Sequence, residues 1–174
     1  MRCGLQPINR RVWSLRGIKP VVVNDPRFEW FYTYGALEVA GQGDAVFLHT
    51  ETVNLDFSSA FLKQVIEKDP QSVHIVVWDG AGFHQRDGNA TLPPNVRLIR
   101  FPAYSPELNP IEKLWDVVKD RICNIRWPNL EAQQNAVTDA LREYWTLPHK
   151  VVSLVGDGWM TLQANGIYPK IQLT

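Results

Sequence analysis

Cysteine is nearly absent: Cys3 and Cys123 are the only two in 174 residues. So sparse a pair gives neither a disulfide framework nor zinc-ligand spacing, and reduced thiols are expected. No apolar run nears the ~18 residues of a membrane span, and no signal peptide opens the chain. The expectation is a soluble, cytoplasmic protein with no membrane partner. Net charge is missing too, since 18 Lys and Arg balance 18 Asp and Glu. A blanket polycation is therefore excluded, and any nucleic-acid surface has to be local. Acid is lacking in one place above all. No Asp or Glu precedes Asp25, whereas Arg2, Arg10, Arg11, Arg16 and Lys19 gather there. A solvated basic loop and a phosphate-tracking arm explain that excess about equally well.

What is present is a globular composition, 45% hydrophobic with seven tryptophans, enough for one domain with its own core. Val21–Val23 is a short strand candidate. The aromatic run Phe28–Val39, a turn at Gly41–Asp44 and the return Ala45–Thr50 read as a hairpin. Asn54 can cap a helix to about Lys68, with Phe57, Phe61 and Val65 on one face. Strands follow at Ile75–Trp78 and Val96–Phe101. Two helices come next. Ile111, Leu114, Trp115, Val118 and Ile122 form one stripe, and Leu130, Val137, Leu141 and Tyr144 form the other. Val151–Val155 and Trp159 offer further packing. This order suggests an α/β fold, a mixed sheet with flanking helices, and no internal repeat.

Two acids stand where chemistry could be built. Asp79 ends the apolar run of HIVVWDGAGFH, at the carboxyl end of a strand, where α/β sheets place their crevices. Glu112 falls in the first turn of a helix that Asn109 caps and Pro110 opens. If the fold brings them together they suit a divalent cation. On spacing alone, humbler explanations are commoner: Asp79 starting a turn, and Glu112 closing a capping box with Asn109. His84, in the same loop as Asp79, is a candidate for phosphate contact or proton transfer. The Gly80–Gly82 pair lacks the third glycine of a dinucleotide fingerprint, having Gln85 there. Ser58, Ser59 and Ser105 have no nucleophile-elbow context.

The segments VVWDGAGFH and PPNVRLIRFPAYSPELNPIEKLWDVVKDRI, with RRVWSLRGIKP and FEWFYTYGAL before them, closely resemble one family. It is the catalytic domain of bacterial insertion-sequence transposases of the Tc/mariner superfamily, and the likeness covers nearly the whole chain. The resemblance implies a ribonuclease-H-like fold and a DDE-superfamily endonuclease. Mg²⁺, or Mn²⁺ as substitute, would be held by an Asp, Asp, Glu triad that cleaves DNA and transfers the strand. Asp79 would be the second acid and Glu112 the third, both metal ligands. His84 and Asn109 would support the loop, and Arg10, Arg11, Arg16 and Lys19 would contact DNA. DNA and a homodimer or intact transposase are the implied partners, with no small-molecule cofactor.

The first Asp of such a triad ends the first strand, ahead of the segment that here reads MRCGLQP. Asp25 follows RRVW and is a poor replacement. The expectation is one catalytic domain, residues 1–174, truncated at its amino terminus and lacking a helix-turn-helix DNA-recognition domain. A first central strand that is missing or incomplete leaves ladder groups unpaired, at ~1–3 kcal/mol each. A sheet with a gap, a rearranged amino-terminal segment or a strand from a partner should result. The alternative is a non-catalytic remnant that binds DNA or associates with intact transposase. A small-molecule α/β enzyme gains ground only if the deepest pocket lies far from both acids.

Overall fold

The hairpin forms where β-branched and aromatic residues alternate, and it organises the chain. In the computed structural model, which describes residues 1–21, 27–82, 84–102, 105–155, 160–163 and 166, three strands make the first sheet. They are β1 (Arg2–Gly4), β2 (Trp30–Leu37) and β3 (Ala45–Thr50). β2 and β3 pair antiparallel from Leu37↔Ala45 to Tyr32↔Thr50. Their turn is closed by the Glu38 carboxylate, which accepts the Gly43 and Asp44 N–H groups at 2.9 and 3.1 Å. β1 adds antiparallel to the other edge of β2, with Cys3 opposite Phe31.

The two faces of the hairpin are covered by different helices. Phe31, Ala45 and Phe47 join the stripes of α2 (Ile111–Ile122) and α3 (Leu130–Thr146) in the largest core. All five stripe residues of α2 are buried. Closest approach is at Gly35, where an added Cβ would come 2.6 Å from the Trp115 ring. His49 ties the hairpin to α3. Thr138 Oγ1 donates to Gln134 O, so it accepts from Nε2 of His49 at 3.0 Å. Nδ1 then accepts from Thr33 Oγ1 at 2.8 Å. The opposite face carries Tyr34 and Val46, packed on Phe61 of α1 (Leu55–Ile66). Asn54 caps α1 by accepting the Phe57 N–H at 2.8 Å.

Leu62, the next residue of α1, belongs to another cluster. It packs with Trp78, Val96 and Leu98 of the parallel pair β4 (His74–Trp78) and β5 (Val96–Arg100). Among the described residues no ladder joins β4 to the three-stranded sheet. The architecture is α/β, sheet with flanking helices, consistent with a ribonuclease-H-like fold. β1 is only three residues long, and the described strands form two separate sheets. α4 (Pro148–Val155) buries Val151 and Val155 against the main core. No helix among the described residues is long and apolar enough to cross a membrane. Asp25, Tyr104 and Trp159 lie outside the described residues, as does most of the Val21–Val23 strand candidate.

Candidate active site

β4 stops at Trp78 because the chain turns at once. Asp79 Oδ1 accepts the Ala81 N–H at 3.0 Å, the side-chain turn that Asp favours. Turn formation does not use up the carboxylate, which stays 65% exposed. The loop returns His84 to it, with Nδ1 2.8 Å from Asp79 Oδ1 and 3.3 Å from the Asp79 carbonyl. Both neighbours are acceptors, so Nδ1 carries the proton. The His84 ring stacks on Trp78, centroids 4.4 Å apart and planes 9° from parallel. Burial lowers the His84 pKa and the Asp79 charge opposes that shift. Burial is the larger effect, so at neutral pH the contact is a hydrogen bond from neutral imidazole rather than an ion pair.

Glu112 is held by α2. A short 3₁₀ turn, Pro106–Leu108, leads in, and the helix starts at Ile111, one residue later than the sequence suggests. Pro110 already has helical angles, and Asn109 Oδ1 accepts the Ile111 N–H at 3.3 Å. The capping box does not close, because the Asn109 N–H donates to Pro106 O at 3.0 Å. Among the described residues the Glu112 carboxylate is left with no hydrogen bond or ion pair. Asn109 therefore shapes the helix entry and does not engage Glu112 through its side chain.

The Met1 amino group donates to Thr33 O at 2.7 Å. Burial lowers its pKa, while Cys3, Glu112 and Asp79 pull it upward and Lys119 lowers it. The charges of Asp79, at a strand end, and of Glu112, at a helix start, thus both bear on this amino group. Carboxylates are hard oxygen donors of the type that suits Mg²⁺ or Mn²⁺. Among the described residues, however, no group of three His, Cys, Asp or Glu side chains is placed to hold a metal ion.

The basic segment is partly docked. Arg10 pairs with Asp116 at 3.0 Å and with Asp120. Its backbone is gripped by Asn124, whose Oδ1 accepts the Arg10 N–H at 3.1 Å while Nδ2 donates to Arg10 O at 3.2 Å. Asp116 and Asp120 follow Glu112 at successive four-residue steps, along one helix face. Arg11, Arg16 and Lys19 are exposed.

Three residues matter that the sequence did not single out. Trp78 is the platform for His84. Gly35 lets α2 approach the hairpin. Gln85 is buried, and its Nε2 donates to Leu55 O and Ser59 Oγ at 3.2 and 2.7 Å, tying the loop to α1. Only a glycine missing from a fingerprint marked that last position. Two clefts of about 420 and 320 Å³ are lined by Arg27, Arg126, Trp127 and Pro128, and by residues of the 87–97 loop. Neither includes Asp79 or Glu112. Both are open surface features.

Residues 1–134 match the model of the DDE superfamily endonuclease family. The chain is 31% identical over 108 residues to the Transposable element Tc1 transposase of Caenorhabditis elegans, covering 60% of this chain and 35% of that protein. It is 32% identical over 94 residues to the Transposable element Tcb2 transposase of Caenorhabditis briggsae, covering 52% and 29%. The uncharacterized protein y4pE/y4sA of Sinorhizobium fredii is 30% identical over 93 residues, covering 52% and 67%. This chain spans about a third of the length of the two transposases it matches. No solved structure gives a significant match. With residues 1–134 matched by that family, the chain belongs to the DDE superfamily of endonucleases, as a DDE-type transposase domain.

Proposed function

We propose that this domain cuts and joins DNA in transposition by divalent-metal-dependent phosphoryl transfer. The observation that carries the reading is the match of residues 1–134 to the DDE superfamily endonuclease family, with Asp79 directly after a strand and Glu112 in the first turn of a helix. Asp79 and Glu112 would hold Mg²⁺, or Mn²⁺ in its place. Such an ion supplies charge neutralisation at phosphate oxygens and activation of the attacking hydroxyl. The chain's own residues do the rest. The Ala81 N–H and the His84 Nδ1–H fix Asp79 Oδ1. Neutral His84, held on Trp78, gives its one N–H to Asp79 without adding a cation to the site. Glu112, in the first turn of α2, would supply the second carboxylate. Arg11, Arg16 and Lys19 would track phosphates, with Arg10 anchoring their segment.

A second reading has one observation in its favour: no third carboxylate joins the two among the described residues. In it the domain binds DNA, or associates with an intact transposase, without cutting. A nicking assay on supercoiled plasmid with Mg²⁺ or Mn²⁺ separates the two. Nicking that disappears with EDTA and in both Asp79→Asn and Glu112→Gln supports catalysis. DNA binding without nicking under every metal condition supports the second reading.

A further inference from the structure

The segment after Arg10 is built in a way that phosphate tracking alone does not require. Trp13 is fully exposed, at 104% of its reference area, and Leu15 and Ile18 are 75% and 58% exposed. Exposed apolar side chains this close together mark a contact surface. The segment is not formless. Ile18 N–H donates to Leu15 O at 3.0 Å, Ser14 Oγ donates to Ile18 O at 2.6 Å, and Gly17 takes the left-handed φ of 88° that the turn needs. Its root is fixed by Arg10 on the Glu112 face of α2. Along the helix axis Asp116 and Asp120 lie about 6 and 12 Å beyond Glu112. The turn therefore displays an indole on a segment whose root is anchored to α2.

Charge selects the occupant. Arg11, Arg16 and Lys19 alternate with these apolar residues, and no acid occurs before Asp25. A polyanion with flat apolar faces satisfies both features, and nucleic acid with unstacked bases is such a ligand. Paired bases hide their faces, so the indole gains its contact only where the duplex is open or a base is turned out.

We infer that Trp13 is a base-stacking residue on a basic arm, and that the arm engages DNA at unpaired nucleotides. This rests on the DNA reading above and extends it to the form of DNA preferred. The test compares a labelled 20-base-pair duplex with the same duplex carrying a short mismatched bubble that contains 2-aminopurine. Wild-type protein is expected to bind the bubble more tightly and to quench the 2-aminopurine. Trp13→Ala should weaken bubble binding roughly 5- to 100-fold, leave duplex binding nearly unchanged and abolish the quench. Trp13→Phe should keep most of both. Replacing Arg11, Arg16 and Lys19 with Gln should flatten the slope of log affinity against log salt by about 2–3 units. Because these side chains are exposed, the variants should fold as the parent does.

Equal binding of the bubble by wild type and Trp13→Ala would overturn the inference, as would an equal loss on duplex and bubble. Trp13-dependent binding to phosphatidylserine vesicles with DNA binding unaffected would overturn it too. No DNA binding by the wild type would remove the DNA reading as well. Trp13-dependent bubble binding without nicking would leave the inference standing and remove only the catalytic reading.

Discussion

Asp79 and His84 form a locked pair, Oδ1 to Nδ1 at 2.8 Å, with the imidazole flat against Trp78. The pair orients the acid at the end of β4, while burial keeps the histidine neutral against the pull of the Asp79 charge. Its pH dependence follows from that. Burial depresses the folded-state pKa of His84 below 6.5, and it does the same for His49 between its two threonines. Below pH 6.5 the unfolded chain takes up protons that the folded chain resists. The stabilisation from both rings is thus complete above that pH and is lost as pH falls through the window toward the folded values. Urea midpoints between pH 5 and 8 should fall on acidification. His84→Gln and His49→Gln should each make that fall shallower.

Gly35 sets the distance between hairpin and helix. With Trp115 only 5% exposed and its ring 2.6 Å from where a Cβ would stand, Gly35→Ala must push α2 outward. The cost should be about 1–3 kcal/mol, typical of an overfilled core. Because α2 carries Glu112, any metal-dependent nicking should drop more than the fall in folded fraction explains. Thermal melts alongside single-turnover assays would reveal an excess loss, and a purely proportional loss would count against the coupling.

Leu62 is wholly buried between α1 and the β4–β5 pair. Leu62→Ala should cost about 2–5 kcal/mol through the cavity it leaves. Phe61, its neighbour, faces the hairpin instead. Changing Phe61 should perturb the Tyr34 environment, and changing Leu62 that of Trp78. Aromatic proton shifts in the two variants would show whether the perturbations stay separate.

Arg10 is committed to Asp116 and Asp120. Arg10→Gln should therefore change the salt slope of DNA binding by less than one unit, well short of the exposed cations that follow it. It should loosen the root of the arm, so trypsin should cut after Arg11 or Arg16 faster than in the parent. Raising salt on the parent should mimic part of that effect, since the pair is half-exposed and screened.

Much of this fold could be read from short-range pattern. The five-residue stripe of α2 and the Asn54 cap depend on neighbours within a turn or two, and the structure has them as expected. Asp79 at a strand end was legible for the same reason. The Asn109 capping box was not, because Pro106, three residues earlier, competes for the same N–H. Nor could sequence show that Arg10 would spend its charge on acids more than a hundred positions away. Nothing in the sequence sets Gly35 apart, because the Trp115 ring that requires it lies eighty positions away. Contacts of that range are fixed by the assembled packing, and no local pattern carries them.

The break in the sheet beside β4 has a dynamic consequence. Since two adjacent side chains of one helix serve the hairpin and the parallel pair separately, the smaller pair can detach as a cooperative unit while the larger core stays closed. Amide hydrogens of Val76 and Trp78 should then exchange with solvent deuterium sooner than those of Thr33 and Phe47. Each such opening would carry Asp79 away from the larger core that holds α2 and Glu112, so any chemistry needing both acids would be confined to the fraction of time that the unit is docked.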